Sequence, residues 1–216
     1  MKIGIMTPLY GRPDFARYAA MQFAMQTRKP DHVAFYQNGE FPDYQWAISD
    51  LTLPYKAYWI YSNKTEPSQS SWYVTPLKQL LDAKCDYIFW CDQDDMYRAT
   101  HIEETIQDFE REHADIVLNK TGGLLKIRPK KFDLHPPIVY CRGEGMSSSL
   151  AFNADAARSL HADLTEHVGN TQLPADGVVH NITMKKFKVY RNPTRASVIY
   201  TCHEGTVSSA HWLEGF

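Results

Sequence analysis

The 216-residue sequence predicts a mixed α/β fold, a mostly parallel central sheet flanked by helices, built as one domain. Two observations carry that prediction. A strand pattern over residues 2–6, a helical pattern from Pro13 and a second strand pattern over 32–36 make a βαβ unit, the usual opening of a parallel sheet. Tyr87-Ile88-Phe89-Trp90-Cys91 is apolar throughout, as a central strand covered on both faces should be.

The first strand closes at Thr7-Pro8-Leu9-Tyr10-Gly11. Pro13 suits a first helical turn, where its missing N–H is no loss, and Asp14 lies beside the positive helix end. Phe15, Tyr18, Ala19 and Phe23 recur at helical spacing, so the helix should run to about Gln26, before Lys29-Pro30. The second strand ends in Gln37-Asn38-Gly39. Residues 40–70 read as irregular and polar, with a strand at 57–61. Thr75-Pro76 resembles an N-cap and first helical position, with Leu77, Leu80 and Leu81 as the buried stripe. Beyond the apolar strand, Thr100 and Glu103 have capping-box spacing, and Ile102, Ile106 and Phe109 repeat helically. Strands are expected at 115–118, 148–152, 187–190 and 198–202, with helices from Ala154 to about His161 and from near Asp176. There is no internal repeat, linker or low-complexity stretch.

Hydrophobic residues at 44% and charged residues at 22% exclude collagenous, disordered and coiled-coil classes. No apolar run approaches the roughly 20 residues a membrane helix needs. The N-terminus reaches Pro8 before a signal-peptide core could develop, so the expected location is the cytoplasm, the host's if the gene belongs to a phage. Cys85, Cys91, Cys141 and Cys202 are then reduced thiols, and no two are spaced as CxxC. The net charge of −2 gives no global attraction to nucleic acid, but the five basic residues between Lys185 and Arg195 meet no acid. That run is either a solvated face or a polyanion surface.

The sharpest chemical feature is Asp92-Gln93-Asp94-Asp95, directly after the apolar strand. Ligands of open α/β sheets bind beyond the carboxyl ends of the strands. Three carboxylates there repel one another unless a cation is present. Hard oxygen ligands suit Mg2+ or Mn2+, which in turn hold a diphosphate. The competing reading is an acidic, solvated turn.

The segment 87–95 resembles the strand-then-DxDD signature of family-2-type glycosyltransferases with the GT-A (Rossmann-like) fold. Other segments are similar to that family in the same order. Ile3-Gly4-Ile5-Met6-Thr7-Pro8-Leu9-Tyr10 resembles its first strand and donor loop, and Gly145-Met146-Ser147-Ser148-Ser149-Leu150-Ala151-Phe152-Asn153 its strand after the acceptor site. Ala175-Asp176 stands where the family carries its catalytic acid, and Tyr200-Thr201-Cys202-His203 resembles the C-terminal strand whose histidine joins the metal or diphosphate. Asn38 departs from the pattern, since many members have an acid there that reads the base.

The resemblance implies a metal-dependent, inverting glycosyltransferase using a nucleotide-diphosphate sugar, a UDP-sugar first. Residues 1–118 would be the nucleotide-sugar-binding half and 119–216 the acceptor-binding half. It implies donor contacts from Thr7, Pro8, Tyr10, Arg12, Asn38, Asp92 and Asp94. Asp94, Asp95 and His203 would hold Mn2+ or Mg2+, Ser147, Ser148 and Ser149 would line the acceptor pocket, and Asp176 would be the base. From the residues alone, Asp176 could equally be a helix N-cap before Val178, Val179 and Ile182. The acceptor is either a saccharide or, given Lys185-Lys186-Phe187-Lys188-Val189-Tyr190-Arg191, a hydroxymethylated DNA base as in a compact phage-type enzyme. No protein partner is implied. A nucleotidyltransferase and a non-catalytic nucleotide- or sugar-binding module stay open as alternatives. The first lacks a Gly-rich basic loop after the first strand.

Overall fold

The computed structural model describes residues 1–9, 13–39, 44–62, 64–66, 68–128, 131–135 and 149–202. Its first half is wound as the sequence pattern implies: β1 (Ile3–Leu9), α1 (Pro13–Ala24), β2 (His32–Gln37), β3 (Lys56–Tyr61), α2 (Gln69–Asp82) and β4 (Tyr87–Trp90). These four strands pair in parallel in the order β3-β2-β1-β4. Passing from β1 to β2 moves one way across the sheet and from β3 to β4 the other. Right-handed crossovers therefore put α1 and α2 on opposite faces.

The second half adds β5 (Met96–Tyr97), α3 (His101–Glu112), β6 (Ile116–Arg128), β7 (Lys131–His135), β8 (Leu150–Asn153), α4 (Ala154–Glu166), α5 (Ala175–Asn181) and β9 (Val189–Cys202). Strand β8 joins the halves, running antiparallel to both β4 and β6. The sheet continues β6-β9-β5, with β7 alongside β6.

Two cores sandwich this sheet. On one face Ala16, Ala19, Ala20 and Phe23 of α1, and Ile102, Ile106 and Phe109 of α3, pack on Ile3, Ile5, Leu9 and Phe89. On the other, Tyr73, Leu77 and Leu80 of α2, with residues of α4 and α5, pack on Met6, Ile88 and Trp90. Alternate residues of β1 and β4 thus serve opposite layers, and all seven residues of β1 are buried. That is why the sequence of β4 is apolar without alternation.

Several expectations need correction. Helix α2 starts at Gln69, not at Thr75-Pro76, and Pro76 lies inside it. Burial of Ser70 and Tyr73 against the sheet extends the helix backward past the proline, where a local rule for proline at the first turn cannot see it. Thr100 caps α3 without a side-chain bond, and Glu103 instead accepts from the Thr27 hydroxyl at 2.7 Å, so no capping box forms. The strands expected at 187–190 and 198–202 are one strand, β9, in parallel register with β6. The register jumps from Leu118↔Arg191 to Lys120↔Ala196, so a bulge absorbs 192–195, including Pro193. The N-cap of α5 is Pro174, which leaves Asp176 in the first turn and not at the cap. Strands β5 and β7 carry no pattern that predicted them.

Candidate functional site

The strand order reverses direction at β1: β2 and β3 follow on one side and β4 lies on the other. Open α/β sheets bind ligands at the carboxyl ends of such a switch point. Here those ends are Thr7-Pro8-Leu9 of β1 and the acidic loop 92–95 after β4. Cys91 continues the pairing one step beyond β4, its N–H donating to the Met6 carbonyl at 3.1 Å.

Within the loop, burial alternates. Asp92 and Asp94 are half-buried, whereas Gln93 and Asp95 are buried. The Asp92 carboxylate is held through Oδ1, which accepts from the Tyr73 hydroxyl at 3.0 Å and the Trp90 indole N–H at 3.2 Å. Asp95 is fully buried, and its Oδ1 accepts the Thr201 backbone N–H of β9 at 2.7 Å. Helix α1 clamps the same segment. Gln22 donates to the Asp95 carbonyl at 2.8 Å and accepts from the Tyr97 N–H at 2.7 Å. One turn later, Gln26 does the same to the Arg98 carbonyl and the Ile102 N–H, at 3.0 and 3.2 Å.

Asp176 is exposed on α5, and its Oδ1 accepts the N–H of Gly177 at 2.8 Å. The buried Tyr73 bonds the acidic loop through Asp92. Burial first, and then the charges of Asp92 and Asp176, push the Tyr73 hydroxyl well above its ordinary range. Ala175, Val178 and Val179 of α5 share the core layer of Tyr73 and Trp90. Burial, and then Asp92, likewise raise the Cys91 thiol, so it stays protonated and packs as an apolar side chain.

The other anticipated residues are distributed differently. Thr7 and Pro8 are buried inside the sheet, and Thr7 Oγ1 has no hydrogen-bond partner among the described residues. Asn38 is fully buried and grips the backbone of Glu66, accepting from its N–H at 2.8 Å and donating to its carbonyl at 3.3 Å. The Trp72 indole reaches the same carbonyl at 2.8 Å. Ser149 is fully buried, its carbonyl accepting from Asn119 at 3.2 Å. Tyr10, Arg12, Ser147, Ser148 and His203 lie outside the described residues. In the basic stretch, Lys186 pairs with Asp163 at 2.5 Å and Lys188 donates to the Glu112 carbonyl at 2.5 Å.

Sequence reasoning missed Tyr73, Trp90, Gln22 and Gln26. The signal for the glutamines was present: two amides at i, i+4 on an otherwise apolar helix face. Tyr73 stands one turn before Leu77 and would have joined the buried stripe had the helix been started earlier.

No protein-family model matches the sequence, and no curated protein matches it. Solved structures do. TarS from S. aureus, in its complex with UDP-GlcNAc, aligns with a TM-score of 0.69 at 13% identity, over 95% of this chain and 60% of that one. The 1–349 fragment of TarS aligns with a TM-score of 0.66 at 14% identity, over 93% and 60%. The mannosyltransferase PcManGT from Pyrobaculum calidifontis, in complex with GDP-Man and Mn2+, aligns with a TM-score of 0.63 at 13% identity, over 91% and 56%. The chain has the GT-A glycosyltransferase fold and spans about three fifths of the length of these chains.

Proposed function

We propose that this domain is a metal-dependent glycosyltransferase that moves a sugar from a nucleotide-diphosphate donor, a UDP-sugar first, to an acceptor hydroxyl with inversion. The observation that carries the reading is the acidic loop at the switch point, with Asp92 and Asp94 half-buried there and the helix of Asp176 packed in the core layer beside it. The fold shared with nucleotide-sugar enzymes supports it.

The donor set suits a divalent cation. Asp92 and Asp94 offer hard oxygens, and Mg2+ or Mn2+ commonly takes one or two carboxylates and completes its shell with water and substrate phosphate. When bound, the cation neutralises charge building on the departing diphosphate. Asp94 is the proposed principal ligand, and His203 and Asp95 are the proposed additions. Because Asp95 is buried and fastened to Thr201, its part is chiefly to hold the loop.

Asp92 positions the donor. Asp176 takes the proton of the acceptor hydroxyl as the new bond forms. A single displacement assisted by one base inverts the anomeric centre. Ser147, Ser148 and Ser149 stand as the proposed acceptor contacts. Lys186 and Lys188 are engaged within the protein, which favours a saccharide acceptor over DNA.

The test is a thermal-shift panel of UDP, GDP, CDP, ADP and dTDP, each with and without Mn2+, on wild type, Asp94→Ala and Asp176→Asn. Ligand at about 100 times its Kd adds roughly 2.7 kcal/mol. The expected result is a Mn2+-dependent shift with UDP that Asp94→Ala loses and Asp176→Asn keeps, although Asp176→Asn has lost turnover. No shift with any nucleotide would overturn the reading.

A further inference from the structure

Tyr73 belongs to none of the chemistry assigned so far, yet its surroundings are unusual. It is a buried tyrosine in the second turn of α2, and its hydroxyl, 3.0 Å from Asp92 Oδ1, is one of two side-chain donors among the described residues that converge on that oxygen. The second, the Trp90 indole N–H, comes from β4 itself. The two rings pack at 3.9 Å between centroids, so each fixes the rotamer of the other. Neither donor carries a charge, so they orient the carboxylate without neutralising it.

This arrangement has a physical consequence. A carboxylate in a cluster of three acids is free to swing away from its neighbours unless something holds it. Two neutral donors on one oxygen define the plane and direction of the group and stabilise its ionised form. The Trp90 indole constrains the group from the strand alone. The second bond, from α2, adds a constraint from a different element.

We propose that Tyr73 is a positioning residue of the donor site, acting through Asp92 to hold its carboxylate in the orientation that receives the nucleotide-sugar. The proposal rests on the glycosyltransferase reading, because it assumes that Asp92 faces the donor. Tyr73 also ties α5 to the same point. Ala175, Val178 and Val179 share its core layer, so the helix that carries Asp176 packs in the layer that sets Asp92.

The test is a double-mutant cycle of Tyr73→Phe and Asp92→Asn, read as the affinity for UDP with Mn2+ by calorimetry. Tyr73→Phe keeps the ring and removes only the hydroxyl, and its melting temperature checks that the fold persists. Loss of a hydrogen bond to a charged group should weaken binding about tenfold or more in the wild-type background. In the Asp92→Asn background the same change should have little effect, since the charge through which it acts is gone. A merely structural role would give the same loss in both backgrounds, and that additivity would overturn the proposal. So would wild-type affinity in Tyr73→Phe alongside weakened binding in Asp92→Asn, and that outcome would leave the donor site itself standing. No nucleotide binding by the wild type would remove both the proposal and the reading beneath it.

Discussion

At Gly4 a methyl group would lie 3.0 Å from the Cys85 sulfur and 3.0 Å from Leu80 Cδ2. Helix α2 can approach β1 this closely only because the strand offers no side chain there. Buried surroundings push the Cys85 thiol up to about 12, so it remains a neutral packing group against the strand. Gly4→Ala should therefore overpack the second core and cost about 1–3 kcal/mol, read as a lower urea midpoint with an unchanged slope. A midpoint equal to wild type would mean that Leu80 and Cys85 yield without strain. The same contact matters to the site, because α2 also carries Tyr73. A displacement of that helix would reach Asp92 through the Tyr73 hydroxyl.

At the scale of elements, the β2–β3 pair holds a pH-dependent contact. His32 lies 3.2 Å from the Tyr58 hydroxyl and stacks on its ring. Burial is the largest influence lowering its pKa from 6.5, followed by Lys2; Asp31 opposes the shift, and Lys56 adds to it. The folded state thus resists a proton that the unfolded chain accepts. The contribution is complete above the unfolded value of 6.5 and is lost as pH falls from there through the lowered value. Between about pH 7.5 and 5.5, wild type should lose more stability than His32→Gln, measured by urea midpoints at each pH. Equal losses would show that the contact is indifferent to protonation. Elements with strong internal periodicity were readable in the sequence: α1, α3, β1, β2 and β4 each carry enough apolar residues to declare their period. Strand β9 was not, because Asn192-Pro193-Thr194-Arg195 reads as a loop until β6 is laid beside it and the bulge takes up the excess. The site divides in the same way. Asp92 and Asp94 follow an uninterrupted apolar strand and could be picked out. Tyr73 is 19 residues from the carboxylate it holds, and Gln22 is 73 from the carbonyl it reads, so no spacing rule finds them.

For the molecule as a whole, the sheet runs without a break through residue 118. Strand β6 begins at Ile116 and ends at Arg128, and the first core draws on residues from Ile3 to Val198. Residues before and after position 118 therefore share both core layers, and the chain should unfold in one transition, coincident by circular dichroism and tryptophan fluorescence. A fragment of residues 1–118 should lack cooperative unfolding, since β4 and β5 would lose β8 and β9 as neighbours. A sharp urea transition from that fragment would contradict this. The link from Asp95 to Thr201 spans 106 residues of sequence. During synthesis the acidic loop emerges from the ribosome long before the strand that fastens it. A nascent chain can wind β1 to β4 early, but it carries an unset loop until β9 arrives. Assembly of the site thereby waits for β9, and a polypeptide that stops short of that strand has the acids without the geometry to use them.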